Sequence, residues 1–191
     1  MNSYAAAVSQ MKGCSLIPVR KGTKIPAVTW SPYQTRFPAP REILDWSSSR
    51  FYGYNVGCVT GAISGVVVLD IDDPAVLPKL QEGFGNGWND GPMTRTPRGF
   101  HFWFKHPGGG IRIPNSANAK EKVDLRGDGG YVVVPPSESG DFAYSWVRPF
   151  NRDNLPPFPL AWAGTIFPSI APIAKELRST ISPSACHSGM V

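Results

Sequence analysis

Hydrophobic and polar positions follow their clearest patterns in two segments of the chain. Residues 66–69 are four consecutive apolar residues, three of them β-branched, which is typical of a strand buried on both faces. Residues 100–105 alternate strictly between two faces. Phe100, Phe102 and Phe104 share one face, and His101, Trp103 and Lys105 share the other. The first pattern predicts a central strand, and the second predicts a strand whose two faces have different roles.

The other predicted elements are short and are separated by Gly and Pro. Helices are expected at residues 3–12, 40–46, 74–80 and 172–178, and further strands at 16–19, 55–59, 123–126, 131–134 and 142–147. Residues 127–130 (GDGG) predict a hairpin-type connection between two of these strands, with Asp128 as a turn residue. This order of elements predicts an α+β sheet domain over residues 1–150. Residues 151–191 are expected to form a Pro-rich C-terminal extension with a short helix and, from residue 180, a flexible tail.

Composition narrows the class of protein. The 191 residues are 41% hydrophobic and 17% charged, which is typical of a soluble globular domain. A net charge of +5 favours a polyanionic partner such as nucleic acid. The three cysteines are widely spaced, so neither a zinc site nor a disulfide scaffold is expected. No apolar run is long enough for a membrane span or a signal peptide, and a cytoplasmic location is expected.

Acidic residues stand at the end of the apolar strand. Asp70 and Asp72 are two positions apart, so their side chains are expected on the same side of the strand. Like charges so close repel unless a cation lies between them, and hard oxygen ligands select Mg²⁺ or Mn²⁺ over zinc. The alternative is an acidic exit from a strand with no bound ion. Asp124 lies in another apolar strand, and three converging carboxylates would hold two divalent ions.

Cationic residues near these carboxylates predict contacts to phosphates. His101 follows a turn at residues 96–99, where Arg95, Arg98 and the imidazole could form a phosphate cradle. Arg126 is two positions after Asp124 and is expected beside it, either as an ion pair or as a nucleotide contact.

Three further residues are candidates for contacting nucleic acid or nucleotide. Lys21 and Lys24 lie in one basic turn, which either binds phosphates or is merely solvated. For Lys24, the triphosphate of a nucleotide is the more specific candidate ligand. Trp103 could stack on a base, although large aromatic residues in sheets more often pack in a core.

Three ordered segments resemble the motifs of the bifunctional primase–polymerase (Prim-Pol) domain of the archaeo-eukaryotic primase superfamily. They are residues 68–72 (VLDID), 96–104 (TPRGFHFWF) and 123–137 (VDLRGDGGYVVVPPS). The approach at 57–65 and the early segment 24–27, with Trp30 after it, are also similar. The resemblance covers roughly residues 14–148. Such domains are common in plasmids, phages and other mobile elements.

The resemblance implies both a fold and a set of site residues. The implied fold is a primase-type catalytic core, in which an RRM-like antiparallel sheet is joined to an N-terminal α/β unit. Asp70, Asp72 and Asp124 are implied as ligands of two Mg²⁺ or Mn²⁺ ions, and His101 as a contact to the phosphates of the incoming nucleotide. The chain departs from the second motif, which often has a small residue shortly before the histidine. Here Arg98, Gly99 and Phe100 occupy that approach.

The expected activity is metal-dependent, template-directed nucleotidyl transfer, as a DNA primase, a DNA polymerase or both. The expected partners are a single-stranded DNA template and dNTPs or NTPs. The chain has no GxxxxGK[ST] motif, so a helicase would be a separate domain or protein. Two alternatives stay open: a non-catalytic module that binds single strands in a replication complex, and a metal-dependent nuclease or phosphohydrolase. An iron oxygenase is excluded because His101 and His106 are badly spaced for one ion. His106 comes just before Pro107 and is expected at the surface.

Overall fold

The computed structural model describes residues 2–118 and 120–181, and these contain five α-helices and eleven strands. The helices are α1 (Ser3–Gln10), α2 (Pro40–Trp46), α3 (Leu77–Phe84), α4 (Leu160–Ile166) and α5 (Ala171–Ile181). The strands are β1 (Ser15–Val19), β2 (Asn55–Val59), β3 (Val66–Ile71), β4 (Met93–Arg95), β5 (Phe100–Lys105), β6 (Ser116–Asn118), β7 (Val123–Arg126), β8 (Tyr131–Val134), β9 (Glu138–Ser139), β10 (Phe142–Ala143) and β11 (Ser145–Arg148). No helix in this part of the chain is long and apolar enough to cross a membrane.

The strands form two main antiparallel sheets. The larger has six strands in the order β11-β4-β5-β3-β7-β6, and the smaller has three in the order β1-β2-β8. Strands β9 and β10 form a separate hairpin. The predicted combination of helices with antiparallel sheet is therefore confirmed.

The six-stranded sheet is covered on both faces, because its central strands alternate as the sequence predicts. One face carries Val66, Val68 and Trp103, which pack against the three-stranded sheet and against α1 and α2. The other face carries Val67, Leu69, Ile71, Phe102 and Phe104, which pack with residues of α3, of α4 and of the segment leading into α5. Burial of these apolar side chains stabilises the sheet, at about 25 cal/mol for each Å² removed from water.

The prediction of a hairpin at residues 127–130 is wrong. Strand β7 pairs with β3 and β6 in the larger sheet, whereas β8 pairs with β2 in the smaller one. The connection therefore crosses from one sheet to the other. A Cβ on Gly127 would lie 2.1 Å from the carbonyl oxygen of Ile113, so only glycine allows the chain to pass there.

Asp128 holds this crossing in place. Its carboxylate accepts hydrogen bonds from the backbone N–H groups of Ala62 and Ile113 and pairs with His106 at 3.1 Å. The expectation that Asp128 is a turn residue is confirmed. The expectation that His106 lies on the surface is wrong, since it is only 5% exposed and packs beneath the crossing.

The core continues beyond residue 150. Leu155, Phe158, Phe167 and Ile170 are buried in the clusters that cover the larger sheet. The helix expected at residues 172–178 lies within α5. Of the tail expected from residue 180 onward, residues 182–191 lie outside the described residues.

Candidate active site

Three neighbouring strands place Asp70, His101 and Asp124 side by side. In the ladder of the larger sheet, Asp70 of β3 is directly opposite His101 of β5 on one side and Asp124 of β7 on the other. Directly opposed residues in antiparallel strands point to the same face, a few ångströms apart. Residues predicted from separated segments of the sequence therefore meet in one row across the sheet.

Asp72 follows immediately after β3 and is paired with Arg98. The arginine makes two contacts with this carboxylate, Nε to Oδ1 at 3.0 Å and Nη2 to Oδ2 at 2.7 Å. Arg98 is carried by the turn between β4 and β5, which two hydrogen bonds between Thr96 and Gly99 close. A Cβ on Gly99 would lie 2.0 Å from the carbonyl oxygen of Ile71, so glycine is required for the turn to pack against the end of β3. This packing brings Arg98 to Asp72.

Asp124 also has a cationic partner. The guanidinium of Arg126, two positions further along β7, donates to its carboxylate at 2.6 Å. The ion pair that the sequence suggested is therefore present. It leaves Arg126 half-buried at the edge of the site and able to face a ligand with its other N–H groups.

The two directly opposed carboxylates have pKa values shifted in opposite directions. Burial alone would raise the pKa of Asp70, but the charge and hydrogen bond of His101, with Lys24 and Arg126, outweigh it and lower the pKa. Burial raises the pKa of Asp124, and the negative charges of Asp70 and Asp72 add to this increase, while Arg126 and Lys24 oppose it. Of these two carboxylates, Asp124 is thus the one whose pKa is raised by neighbouring negative charges.

His101 is 3% exposed and joins the row through one ring nitrogen. Its Nε2 lies 3.4 Å from Oδ1 of Asp70. The other nitrogen, Nδ1, is buried and has no hydrogen-bond partner among the described residues. Buried polar atoms are nearly always paired in folded proteins, so an orphaned one at this position indicates a ligand or water that would complete it.

A cavity of about 310 Å³ opens between the two sheets beside this row. Its lining includes Asp70, His101 and Arg126 from the larger sheet, and backbone and side chains of residues 129–133 from the crossing and β8. Lys24 lies at its edge and is positioned by Tyr131, whose hydroxyl donates to the Lys24 carbonyl oxygen. The lining of the cavity therefore combines one carboxylate, that of Asp70, with cationic side chains and aromatic rings.

The comparisons with known proteins agree with this geometry. The family described as bifunctional DNA primase/polymerase, N-terminal (Prim-Pol), matches residues 5–161. The chain belongs to the Prim-Pol family. No curated protein matches it significantly. The resemblance read from the sequence motifs is therefore confirmed, and DNA primase or polymerase activity in general is what membership of the family indicates.

Not every predicted residue reaches the site of this Prim-Pol domain. Trp103 is 1% exposed and donates its indole N–H to Thr94, so it packs in the core and presents no face to a base. The guanidinium of Arg95 lies over the ring of Phe100, 4.9 Å from its centre. Lys21 is exposed and lines a separate depression of about 250 Å³ with Tyr52 and Glu138.

The structure also adds residues that the sequence did not single out for the site. Trp30, Asn115, Tyr131 and Tyr144 line the main cavity. Tyr131 belongs to the third motif, and its position directly after the glycines could have identified it as a site residue. Trp30 and Asn115 lie in loops, and Tyr144 lies between two short strands, so no periodic pattern marks these three.

The donor set of the Prim-Pol site suits a hard divalent cation, although the carboxylates are not yet gathered around one point. In the described part of the chain, no three His, Cys, Asp or Glu side chains form a ready metal site. Asp72 and Asp124 are turned toward their arginines instead. All three carboxylates nevertheless supply oxygen ligands of the type that Mg²⁺ and Mn²⁺ prefer, and the mutual repulsion felt at Asp124 is what such a cation would relieve.

Proposed function

We propose that the chain is a template-directed nucleotidyltransferase that makes or extends DNA primers on a single-stranded template. The observation that carries the proposal is the row of Asp70, His101 and Asp124 within a Prim-Pol domain. Two members of this row, Asp70 and His101, line a cavity together with cationic side chains. The six-stranded sheet corresponds in this proposal to the RRM-like part of a primase-type core. Strands β1 and β2 with α1 and α2 correspond to its N-terminal unit.

Asp70, Asp72 and Asp124 would hold two Mg²⁺ or Mn²⁺ ions. When bound, such ions lower the pKa of an attacking hydroxyl and neutralise charge on the phosphates and on the leaving pyrophosphate. No zinc is invoked, because the donors are carboxylate oxygens. Asp70 is the central ligand, since it alone stands directly opposite another candidate group on both sides.

The cationic residues would bind the triphosphate of the incoming nucleotide. Lys24 and Arg126 both line the cavity, and the positive charge of each helps to lower the pKa of Asp70, which supports this role. His101 offers Nδ1 to a phosphate oxygen, which would pair the nitrogen that has no partner in the described residues. Arg98 supplies a further guanidinium from the turn before β5.

The remaining lining residues would orient the nucleotide. Trp30 and Tyr131 meet edge to face, with ring centres 5.0 Å apart, at one wall of the cavity. Aromatic faces accept any base by stacking, so this wall fits a site that the template, rather than the protein, makes specific. The natural setting of the activity would be replication of a plasmid, phage or other mobile element. Strand separation would be supplied by a helicase partner.

A primer-extension assay tests the proposal. Wild type, Asp70→Asn and the control Asp45→Asn, which changes an exposed carboxylate of α2, receive primed single-stranded DNA with dNTPs or NTPs in Mg²⁺ or Mn²⁺. We expect extension and pyrophosphate release by wild type and the control, and at least about a 100-fold loss in Asp70→Asn, comparable to removing other transition-state charge stabilisers.

The same assay separates the alternatives. Omitting the primer shows whether synthesis can be initiated. Shortening of the oligonucleotide would indicate a nuclease, and binding of single strands without incorporation in any metal would indicate a non-catalytic module. Extension by Asp70→Asn at the wild-type rate would overturn the assignment of the site.

A further inference from the structure

Two of the three candidate metal ligands are already neutralised by arginines of the same site. Arg98 contacts both carboxylate oxygens of Asp72, and Arg126 contacts Asp124. Asp70, in contrast, makes its ion-pair contact with a histidine, and among the described residues no arginine contacts its carboxylate. The carboxylates that must converge on a cation are therefore held away from it by groups that also suit a triphosphate.

We propose that Arg98 is a positioning residue that exchanges partners when nucleotide binds, holding Asp72 in the free protein and moving to the phosphates so that Asp72 becomes available to the divalent cation. This inference rests on the proposed function. The inference adds an order of binding to that function: the nucleotide binds first, and its binding completes the metal site.

The turn that carries Arg98 is suited to such an exchange. Its backbone is closed by the bonds between Thr96 and Gly99 and packs against the end of β3, so it stays in place. The side chain of Arg98, in contrast, is 64% exposed, and that of Asp72 is 30% exposed. Exposed ion pairs are weak, equivalent to about a 1.5- to 5-fold change in an equilibrium constant. A ligand with several negative oxygens can therefore take the guanidinium.

The chemistry of guanidinium favours phosphate as the second partner. Its planar fork of N–H donors fits carboxylate and phosphate equally well, so the movement replaces one bidentate contact by another. Burial and the negative charges of Asp70 and Asp72 raise the pKa of Tyr144, a lining residue of the cavity, and the positive charge of Arg98 opposes this increase. In the proposed movement, a change of side-chain rotamer carries the guanidinium from Asp72 toward a nucleotide in the cavity, while the backbone of the turn stays in place.

Two nearby arginines, Arg126 and Arg95, differ from Arg98 in ways that leave them no such exchange to make. Arg126 already lines the cavity while it contacts Asp124, and its side chain is less exposed, at 36%, so it needs no comparable movement. Arg95 is on β4 near the same turn, with its guanidinium over the ring of Phe100. It provides a matched loss of one positive charge without the contact to Asp72.

The test measures metal and nucleotide binding separately on the full chain. Free Mn²⁺ is quantified by electron paramagnetic resonance in titrations of wild type, Arg98→Ala, Arg95→Ala and Asp70→Asn without nucleotide. Binding of dATP is measured in EDTA by competition with a fluorescent nucleotide. We expect Arg98→Ala to bind Mn²⁺ about 2- to 5-fold more tightly than wild type and dATP at least about 3-fold more weakly. Arg95→Ala should match wild type in Mn²⁺ affinity.

The double variant Asp72→Asn/Arg98→Ala completes the cycle. If the exchange operates through Asp72, removing Arg98 from Asp72→Asn gives no gain in Mn²⁺ affinity. Unchanged or weaker Mn²⁺ binding in Arg98→Ala, or an equal gain in Arg95→Ala, overturns the exchange while leaving the proposed function intact. Equal Mn²⁺ binding by wild type and Asp70→Asn would instead contradict the metal site on which the proposed function depends.

Discussion

The carboxylate of Asp128 links three parts of the chain and offers a sharp test of how the two sheets are joined. Its Oδ1 accepts from the Ala62 N–H at 2.8 Å, and its Oδ2 accepts from the Ile113 N–H at 2.7 Å and from His106 at 3.1 Å. The substitution Asp128→Asn keeps the size of the side chain but leaves one acceptor oxygen in place of two.

The expected loss follows from this geometry. Whichever way the new amide turns, its NH₂ group faces either Ala62 or Ile113, so one backbone N–H loses its acceptor. An orphaned donor costs about 1–3 kcal/mol, and bonds to a charged acceptor are stronger than those to an amide. Because Ala62 is exposed, the favoured amide orientation turns its NH₂ toward Ala62, where water replaces the lost acceptor. We therefore expect a loss of about 1–2 kcal/mol, which for a chain of this size lowers Tm by about 2–8 °C.

Thermal melts of wild type and Asp128→Asn from pH 7 down to pH 3 provide the measurement. Burial by itself raises the pKa of Asp128, but the bonds from Ala62, Ile113 and His106 outweigh it and lower the pKa. Because the pKa of Asp128 is lower in the folded protein, the carboxylate stabilises the fold at pH values above its unfolded pKa of about 4. This stability disappears as the pH falls through the folded pKa. The difference between the two proteins should therefore be constant from pH 7 to 5 and shrink below about pH 4.

The control is Asp73→Asn, because Asp73 caps the turn after β3 through the Ala75 N–H and asparagine caps about as well as aspartate. We expect the free energy of unfolding of this variant to lie within about 1 kcal/mol of that of wild type. A Tm for Asp128→Asn equal to that of the control, or a difference from wild type that persists unchanged at pH 3, would refute the reasoning.

Three further predictions concern the site and its supports. Gly99→Ala places a Cβ 2.0 Å from the Ile71 carbonyl oxygen and should cost about 1–3 kcal/mol in a denaturant melt, and an unchanged melt would show that the turn can move away from β3 without loss. Trp103→Phe removes the hydrogen bond to Thr94 and should lower the free energy of unfolding by about 1–3 kcal/mol. Its affinity for single-stranded DNA, measured by fluorescence anisotropy, should stay unchanged. A loss of affinity at unchanged stability would instead support the base-stacking role. Tyr131→Phe frees the backbone at Lys24 and should raise the KM for dNTP about 2- to 10-fold with kcat little altered, and an unchanged KM would show that this bond does not position Lys24.

Much of the larger sheet was predictable because its central strands have simple patterns of apolar and polar residues. The apolar run at β3 and the strict alternation at β5 predict both strands and the face on which each side chain lies. The acidic and basic residues at strand positions then mark the site, because charge inside apolar segments requires an explanation. The row formed by Asp70, His101 and Asp124 follows from register, which no local pattern contains.

Errors arose where local sequence fits two geometries. Four residues rich in glycine serve as well for a crossing between sheets as for a hairpin, and only the pairing of β8 with β2 decides between them. His106 precedes a proline and glycines, which is typical of an exposed loop, but Asp128 draws it inside. Trp103 was ambiguous for a similar reason, since a large aromatic ring suits both a core and a stacking surface until its neighbours are known.

The alternation of side chains between the two faces of β5 also determines which substitutions this domain can tolerate. Odd-numbered positions 101 and 103 face the site and its adjoining core, whereas Phe102 and Phe104 fill the opposite layer. Libraries randomised at the phenylalanines should yield many viable hydrophobic replacements that retain activity, whereas a single inserted or deleted residue would transpose the two sets and abolish both folding and chemistry. Within this strand, tolerance to mutation should therefore depend on the parity of the position more than on its distance from the carboxylates.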